Sequence, residues 1–262
     1  MYLPQLFFCD IICLTNKLEN IMRKEYNIIE FEDLLSTNKY ASEHINDLNN
    51  GDVVFAEKQG KGYGRFKREW LDFGGKCLTF SIVLKPQKTD YVSNLTQYVS
   101  CVICSLLEEF NLSPKIKWPN DVQINGEKIS GILSEGRIQN GKLEGIVLGI
   151  GLNVNLEEAD VLKIDQKATS MKVLLNKTFD KKEILNLFLD KFFNEIDDVF
   201  YFGFEKIKDN YISHCNFLGN KVCIKDKEKN LEGIAKSIND DGSLNLEIDN
   251  NTVIIRNGDL IC

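Results

Sequence analysis

"KWPNDVQINGEKISGILSE", residues 117–135, decides the fold class. Asn125-Gly126 is the strongest short hairpin signal, because a type I′ turn needs positive φ at both central positions. Pairing about that turn sets residue 123 opposite residue 128. Just upstream, "KIKW" (115–118) reads as a short strand stopped by Pro119. A second hairpin signal, Asn140-Gly141, leads into a long apolar strand, "LEGIVLGIGLNVN" (143–155). Parallel strands need long crossovers, and hairpins leave no room for them. The reading is therefore α+β with a mixed, largely antiparallel sheet and helices, not a doubly wound parallel sheet.

Upstream of this region, Ser36 caps a predicted helix that runs to about Asn50, where Gly51 closes it. "DVVFAE" (52–57) and "CLTFSIVLK" (77–85) read as strands, and residues 91–110 carry helical periodicity. Downstream, helices are predicted at about 169–176 and 180–213. The chain then changes character. "KVCIK", "LEGIAKSI", "SLNLEI" and "TVIIR" are short strands between polar turns, the pattern of a small β-barrel. A boundary near residue 215 divides a main domain, 27–215, from a small C-terminal β domain, 216–262.

Residues 1–26 read as an N-terminal extension. "LPQLFFCDIICL" (3–14) is too short for a membrane span, and no basic residue precedes it as in a signal peptide. Met22 opens a stretch that reads like an ordinary start, and removing 1–21 is expected to leave the protein intact.

The 262 residues are 43% hydrophobic and 27% charged, with room for a sizeable core. The formal net charge of -7 argues against a broad basic face for nucleic acid. Of eight cysteines, Cys101 and Cys104 form a CxxC, but neither His44 nor His214 completes a zinc pattern. With no disulfide framework, the expected compartment is the cytoplasm.

Against that acidic background, residues 58–68 hold five cations (Lys58, Lys61, Arg65, Lys67 and Arg68) and no acid. They lie in the Gly-rich loop "QGKGYGRFKREW" (59–70). Its glycines let backbone N–H groups approach a ligand, and Arg65 and Arg68 offer forked donors to phosphate or carboxylate. A solvated loop with incidental charge is the plainer reading. Two nucleotide motifs nearly match and fail. "GRIQNGKL" (136–143) has the glycine and lysine spacing of a P-loop, but Leu143 replaces the metal-holding Ser or Thr. "GKGYGR" lacks the glycine spacing of a dinucleotide fingerprint.

Two further constellations carry chemistry. Asp121 and Lys128 project from one strand face as diagonal neighbours across the hairpin. They could hold a metal and an anion, or form a plain cross-strand ion pair. Gly149, Gly151 and Asn153 share one face of the apolar strand. The first two make a flat wall for a planar ligand, or a bed for a closely packed helix.

In this order, "STN" (36–38), "AEKQGKGYGRFKREW" (56–70), "KWPNDV" (117–122), "GEKISGILSE" (126–135) and "VLGIGLNVN" (147–155) resemble the biotin–protein ligases, the biotin–[acetyl-CoA-carboxylase] ligases. The likeness covers about residues 34–262. It implies a class II synthetase-like biotin–lipoate ligase catalytic domain and an SH3-like C-terminal barrel. There is one departure. Where the family loop reads G-R-G-R, this chain has Gly62-Tyr63-Gly64-Arg65, and Lys67 stands where many members have Gly or Ser. Only about 30 residues precede the likeness, too few for the winged helix of the family's repressors.

The resemblance implies ATP-dependent ligation of biotin to a lysine of a biotin carboxyl carrier domain, through biotinyl-5'-AMP. Ser36, Thr37, Asn38 and Gln59 would frame or hydrogen-bond the ureido head of biotin, with Gly62, Tyr63, Gly64, Gly131, Gly149 and Gly151 completing the biotin site. Arg65 and Lys128 would contact the biotin carboxylate and then the adenylate. Arg68, Trp70, Asn120 and Asn153 would meet the nucleotide. Asp121 would stand near Mg²⁺, which accompanies ATP, and near the incoming lysine. The Gly-rich loop would be a lid that orders on ligand. Partners would be biotin, ATP and the carrier domain, with no nucleic acid and no membrane. Two rivals are a lipoate–protein ligase or octanoyltransferase of the same fold, and a non-catalytic biotin or adenylate sensor.

Overall fold

The computed structural model describes residues 26–225 and 229–261. The expectations for residues 1–25, including the start at Met22, lie outside the described residues.

The chain opens with β1 (Ile28–Leu34), α1 (Thr37–Glu43), β2 (Val53–Gln59), β3 (Gly62–Tyr63), β4 (Glu69–Trp70) and β5 (Cys77–Leu84). Then come α2 (Leu95–Glu108), β6 (Pro114–Lys117), β7 (Asp121–Ile124), β8 (Glu127–Gln139) and β9 (Lys142–Asn153). Four helices follow: α3 (Glu158–Val161), α4 (Met171–Leu175), α5 (Lys181–Phe202) and α6 (Phe204–His214). The C-terminal strands are β10 (Lys221–Lys225), β11 (Asn230–Ile238), β12 (Leu244–Ile248), β13 (Asn251–Ile255) and β14 (Asp259–Leu260).

The main sheet has seven strands in the order β1-β2-β5-β9-β8-β7-β6. Only β1 and β2 pair in parallel; the other neighbours are antiparallel. Both Asn-Gly turns form as read, with positive φ at Asn125, Gly126, Asn140 and Gly141. Alternation along the strands splits the sheet into two unlike faces. Leu78, Phe80, Ile82 and Leu84 of β5 enter the large core with Ile146, Leu148, Ile150 and Leu152 of β9. Helices α2, α5 and α6 cover that face through Val99, Ile103, Phe188, Phe192 and Tyr211. Each such buried side chain contributes about 1.5–3 kcal/mol. Val54, Val83 and Val147 instead meet Ala41, Ile45 and Leu48 of the α1 segment in a second, smaller core. Thr79, Ser81, Gly149 and Gly151 belong to that second face by parity, and there the site is built.

Two local expectations need correction. The helix after Ser36 ends at Glu43, not near Asn50. His44 caps the C-terminus: its backbone N–H and its ring Nδ1–H both donate to the Tyr40 carbonyl, at 3.0 and 2.9 Å, and the ring stacks on Tyr40. The single helix expected over 180–213 is two, broken at Gly203 (φ 62°, ψ -139°). A Cβ there would lie 2.4 Å from the Tyr91 ring, so glycine serves both the turn and the packing. Strand β1 is an addition to the expected elements: Ile29-Glu30-Phe31-Glu32 alternates, and the strand pairs in parallel with β2 at the edge of the sheet.

The C-terminal part is a five-stranded antiparallel sheet in the order β13-β12-β11-β10-β14. It is tied to the main part by Trp118, whose Nε1–H donates to the Gly242 carbonyl at 3.0 Å. No helix among the described residues is long and apolar enough to cross a membrane.

Candidate active site

The N-terminus of α1 begins the site. Ser36 caps the helix by accepting from the Lys39 N–H at 3.3 Å. Gln59, at the end of β2, accepts from the Thr37 N–H at 2.9 Å through Oε1. The Ser81 hydroxyl, fully buried on β5, lies 2.6 Å from Asn38 Oδ1, to which it donates, and 2.8 Å from Thr37 Oγ1. Asn38 Nδ2 donates to Glu135 on β8 at 3.0 Å. This packing explains Gly149. A Cβ there would lie 2.1 Å from Asn38 Oδ1. The glycine face is thus flat, as read, but at Gly149 it receives a carboxamide of the protein itself.

Gly151 receives the Trp70 indole. A Cβ at Gly151 would lie 2.5 Å from the ring, and one at Gly131 would lie 3.1 Å from both Trp70 and Lys128. Trp70 reaches this bed because β3 and β4 pair as a short hairpin, Gly62 opposite Trp70.

Between these strands the loop is folded. Phe66 and Lys67 hold positive φ of 56° and 59°. Arg65 lies 2.9 Å from Asp259 on β14 and donates to the Gly258 carbonyl at 3.0 Å and to Asn120 Oδ1 at 3.3 Å. Arg68 pairs with the other oxygen of Asp259. Phe66 lies beneath both guanidinium groups, 5.1 Å from Arg65 and 5.3 Å from Arg68. Burial lowers the Arg65 pKa, and Asp259 and Asp121 offset part of that, so the group stays a cation. The sequence showed a loop of uncompensated positive charge. In the fold, Lys58 meets Glu32, the two arginines meet Asp259, and Lys67 meets Glu135. The compensating acids come from elsewhere in the chain.

Asp121 and Lys128 meet as expected from the hairpin, although a β-bulge between Val122 and Gln123 sets Asp121 opposite Gly131. Gln123 pairs with Lys128, and Lys128 Nζ lies 2.7 Å from Asp121 Oδ1. Lys128 is also held through its backbone, donating to the Lys167 carbonyl and accepting from the Thr169 N–H. Asn120 donates to the Ile132 carbonyl at 2.9 Å.

These groups enclose a cavity of about 90 Å³. Ser36, Thr37, Asn38, Gln59, Tyr63 and Gly64 line one part of it. Arg65, Arg68, Trp70, Asn120, Asp121 and Lys128 line another, and Gly131, Gly149 and Gly151 form its floor. Two anticipated residues stand outside the lining. Gly62 lies behind it, pressed between Gln59 and the Trp70 backbone. Asn153 is buried with its amide committed to the carbonyls of Thr169 (2.9 Å) and Lys128 (3.4 Å). It braces the Lys128 segment instead of facing the cavity. Sequence reasoning missed Asp259, Thr79 and Gln166, which also line it. The Thr79 hydroxyl is buried with no hydrogen-bond partner among the described residues, so it is available to a ligand. A wider groove of about 610 Å³ adjoins the cavity, sharing Arg68, Asn120, Asp121 and Asp259 and adding Lys117 and Lys225.

The described residues contain no cluster of three His, Cys, Asp or Glu side chains that could hold a metal by themselves. The carboxylates lining the cavity are Glu69, Asp121 and Asp259, and Asp121 and Asp259 are already paired with Lys128 and the two arginines. That suits a cation brought in on phosphate oxygens, not a resident ion in a protein cage.

A model of the Biotin/lipoate A/B protein ligase family matches residues 31–153. The bifunctional ligase/repressor BirA of Bacillus subtilis is 31% identical over 227 residues, 84% of this chain and 69% of that protein. The chain belongs to the biotin/lipoate protein ligase family. Within that family, the biotin–[acetyl-CoA-carboxylase] ligase of Paracoccus denitrificans is 28% identical over 218 residues, 80% of this chain and 89% of the other. The biotin protein ligase of Aquifex aeolicus, solved with biotin and ATP, superposes with a TM-score of 0.77 at 26% identity. That likeness covers 90% of this chain and 97% of the Aquifex chain. The ligase core and the C-terminal sheet are thus both part of the matched architecture.

Proposed function

We propose that this protein joins biotin to a specific lysine of a biotin carboxyl carrier domain, using ATP and passing through biotinyl-5'-AMP. The observation that carries the proposal is the convergence of Arg65, Arg68 and Lys128 on one cavity headed by the Ser36–Asn38 turn and floored by Gly149 and Gly151. In this reading residues 27–215 are the catalytic domain and 216–262 the smaller β domain, which lends Asp259 to the site.

The chemistry explains the residue types. Biotin carboxylate attacks the α-phosphorus of ATP and pyrophosphate leaves. Both reactants are anions, so the work is positioning and charge neutralisation. Lys128 and Arg65 take the carboxylate and α-phosphate. Ser36, Thr37, Asn38 and Gln59 take the biotin head in the small cavity, with Tyr63 and Gly64 beside it. Arg68, Asn120 and Asp121 line both the cavity and the adjoining groove, so ATP runs from one into the other, with Trp70 on the cavity side. Mg²⁺, held by Asp121 and the phosphates, would neutralise the polyphosphate charge. In the second half, a carrier lysine amine attacks the activated carbonyl and AMP leaves. Asp121 would orient that amine or take its proton. The free thiols Cys77, Cys101, Cys104 and Cys215 support a reducing, cytoplasmic setting.

The test is ATP–pyrophosphate exchange in the presence of biotin, lipoate or octanoate. Exchange that depends on biotin alone is expected. Exchange driven by lipoate or octanoate would replace biotin as the substrate.

A further inference from the structure

Glu135 of β8 has so far appeared only as a partner of other residues. Its Oε2 accepts two hydrogen bonds, from Asn38 Nδ2 at 3.0 Å and from the Tyr63 hydroxyl at 3.1 Å. Its Oε1 lies 4.0 Å from Lys67 Nζ, which also stands 4.0 Å over the Tyr63 ring. One carboxylate therefore joins the head of the cavity to two residues of the loop. Asn38 has little freedom to turn, because its Oδ1 is 2.6 Å from the Ser81 hydroxyl and it rests against Gly149. Ser81 holds the Oδ1 end of that amide and Glu135 the Nδ2 end, and Glu135 also holds Tyr63.

The loop requires such an anchor. Two successive non-glycine residues, Phe66 and Lys67, sit in the left-handed region, which such residues occupy only when their surroundings hold them there. Asp259 anchors the arginine side of the loop, and Glu135 anchors the other. Burial and the neighbouring Glu135 push the Tyr63 hydroxyl up to about 12, so it remains a donor throughout the neutral range.

We propose that Glu135 is a positioning residue which, through the Tyr63 hydroxyl, couples the folded state of the Gly-rich loop to the orientation of Asn38. Loop closure and engagement of the ligand head at Asn38 then reinforce one another. The identity of that head as biotin rests on the function proposed above; the coupling does not. Tyr63 gains a purpose that an arginine at this position need not share, since a hydroxyl reaches Glu135 while leaving Lys67 to cover the ring.

The experiment uses the full chain with Tyr63→Phe, Glu135→Ala and the double variant. Trypsin cleavage after Lys61, Arg65 and Lys67 reads the loop, and calorimetric titration with biotin, and separately with ATP, reads the site. Tyr63→Phe is expected to be cut about fivefold faster than wild type, the effect of one hydrogen bond of ordinary net worth in a partly exposed position. The double variant should be cut no faster than Glu135→Ala, because both changes remove the same contact. Biotin affinity should fall about three- to tenfold in each variant while ATP affinity stays within about twofold, a split that general loosening would not produce. Wild-type cleavage of Tyr63→Phe, effects that multiply in the double variant, or equal losses for biotin and ATP would overturn the coupling. Were wild type to bind no biotin, the proposed function would fall, and the cleavage cycle would still decide the tether.

Discussion

Asp259 Oδ1 lies 2.9 Å from a terminal nitrogen of Arg65, joining residues 194 positions apart in the chain. Through this contact the C-terminal sheet enters the site. Both partners are about one-fifth exposed, so the pair is shielded from salt more than a surface bridge is. The same carboxylate holds Arg68. An anionic ligand that takes either arginine competes with Asp259.

Asp259→Ala therefore leaves Arg65 half-buried with only neutral acceptors. A charge-assisted contact of this kind is worth about 1.5–3 kcal/mol. Denaturant unfolding should show a loss of that order. The double variant with Arg65→Ala should lose less than the sum of the singles. Additive losses would mean that the two residues do not stabilise one another.

Arg65→Gly should uncouple the two halves of the reaction. On the proposed function, the phosphoryl anion of the adenylate exists only after the first half, so Arg65 should hold that intermediate more firmly than it holds biotin. Losing about 1.5–3 kcal/mol of contact speeds escape roughly ten- to a hundredfold. The escaping acyl-adenylate should label lysines on bystander proteins while carrier labelling falls, as read by a streptavidin blot of a mixed lysate. Labelling confined to the carrier, or no adenylate at all, would assign Arg65 to the first half instead.

Lys128→Ala should slow adenylate formation at least ten- to a hundredfold, the worth of one charge-assisted contact of about 1.5–3 kcal/mol. Single-turnover formation of the adenylate measures this directly. A wild-type rate would reduce Lys128 to a structural partner of Asp121.

Gly151→Ala should displace the Trp70 indole, which lies 2.5 Å from the position of the new Cβ. Overpacking of this kind costs about 1–3 kcal/mol. Trp118 is buried and hydrogen-bonded, so a red shift in tryptophan emission would report Trp70, and biotin affinity should fall with it. An unchanged spectrum with unchanged affinity would contradict the placement of the indole.

What could be read from the sequence was whatever depends on near neighbours. The Asn125-Gly126 turn dictated the pairing of Gln123 with Lys128, whereas the bulge between Val122 and Gln123, which sets Asp121 opposite Gly131, has no signal in the turn. The period of two along β9 put Gly149 and Gly151 on one face. The partners of the loop cations lay beyond reach, because Glu135 and Asp259 arrive through pairing of distant strands. Nothing in "RNGDL" marks Asp259 as different from any other turn acid. Asn153 stands outside the cavity lining for a related reason. It continues the parity of Gly151, but by the end of β9 the segment around Thr169 has closed over that face and captures its amide. Gly203 lies inside a stretch with helical periodicity on both sides, and the turn conformation and the close approach to Tyr91 that require glycine there both arise only in the fold.

The central claim is transfer of biotin to a carrier lysine. Mass spectrometry of a biotin carboxyl carrier domain, incubated with this protein, biotin and MgATP, tests it most directly. The account predicts a single adduct of biotin less one water, placed on one lysine and absent when either ATP or biotin is left out. A carrier domain that keeps its unmodified mass, under conditions where a known biotin ligase modifies it fully, would contradict the account.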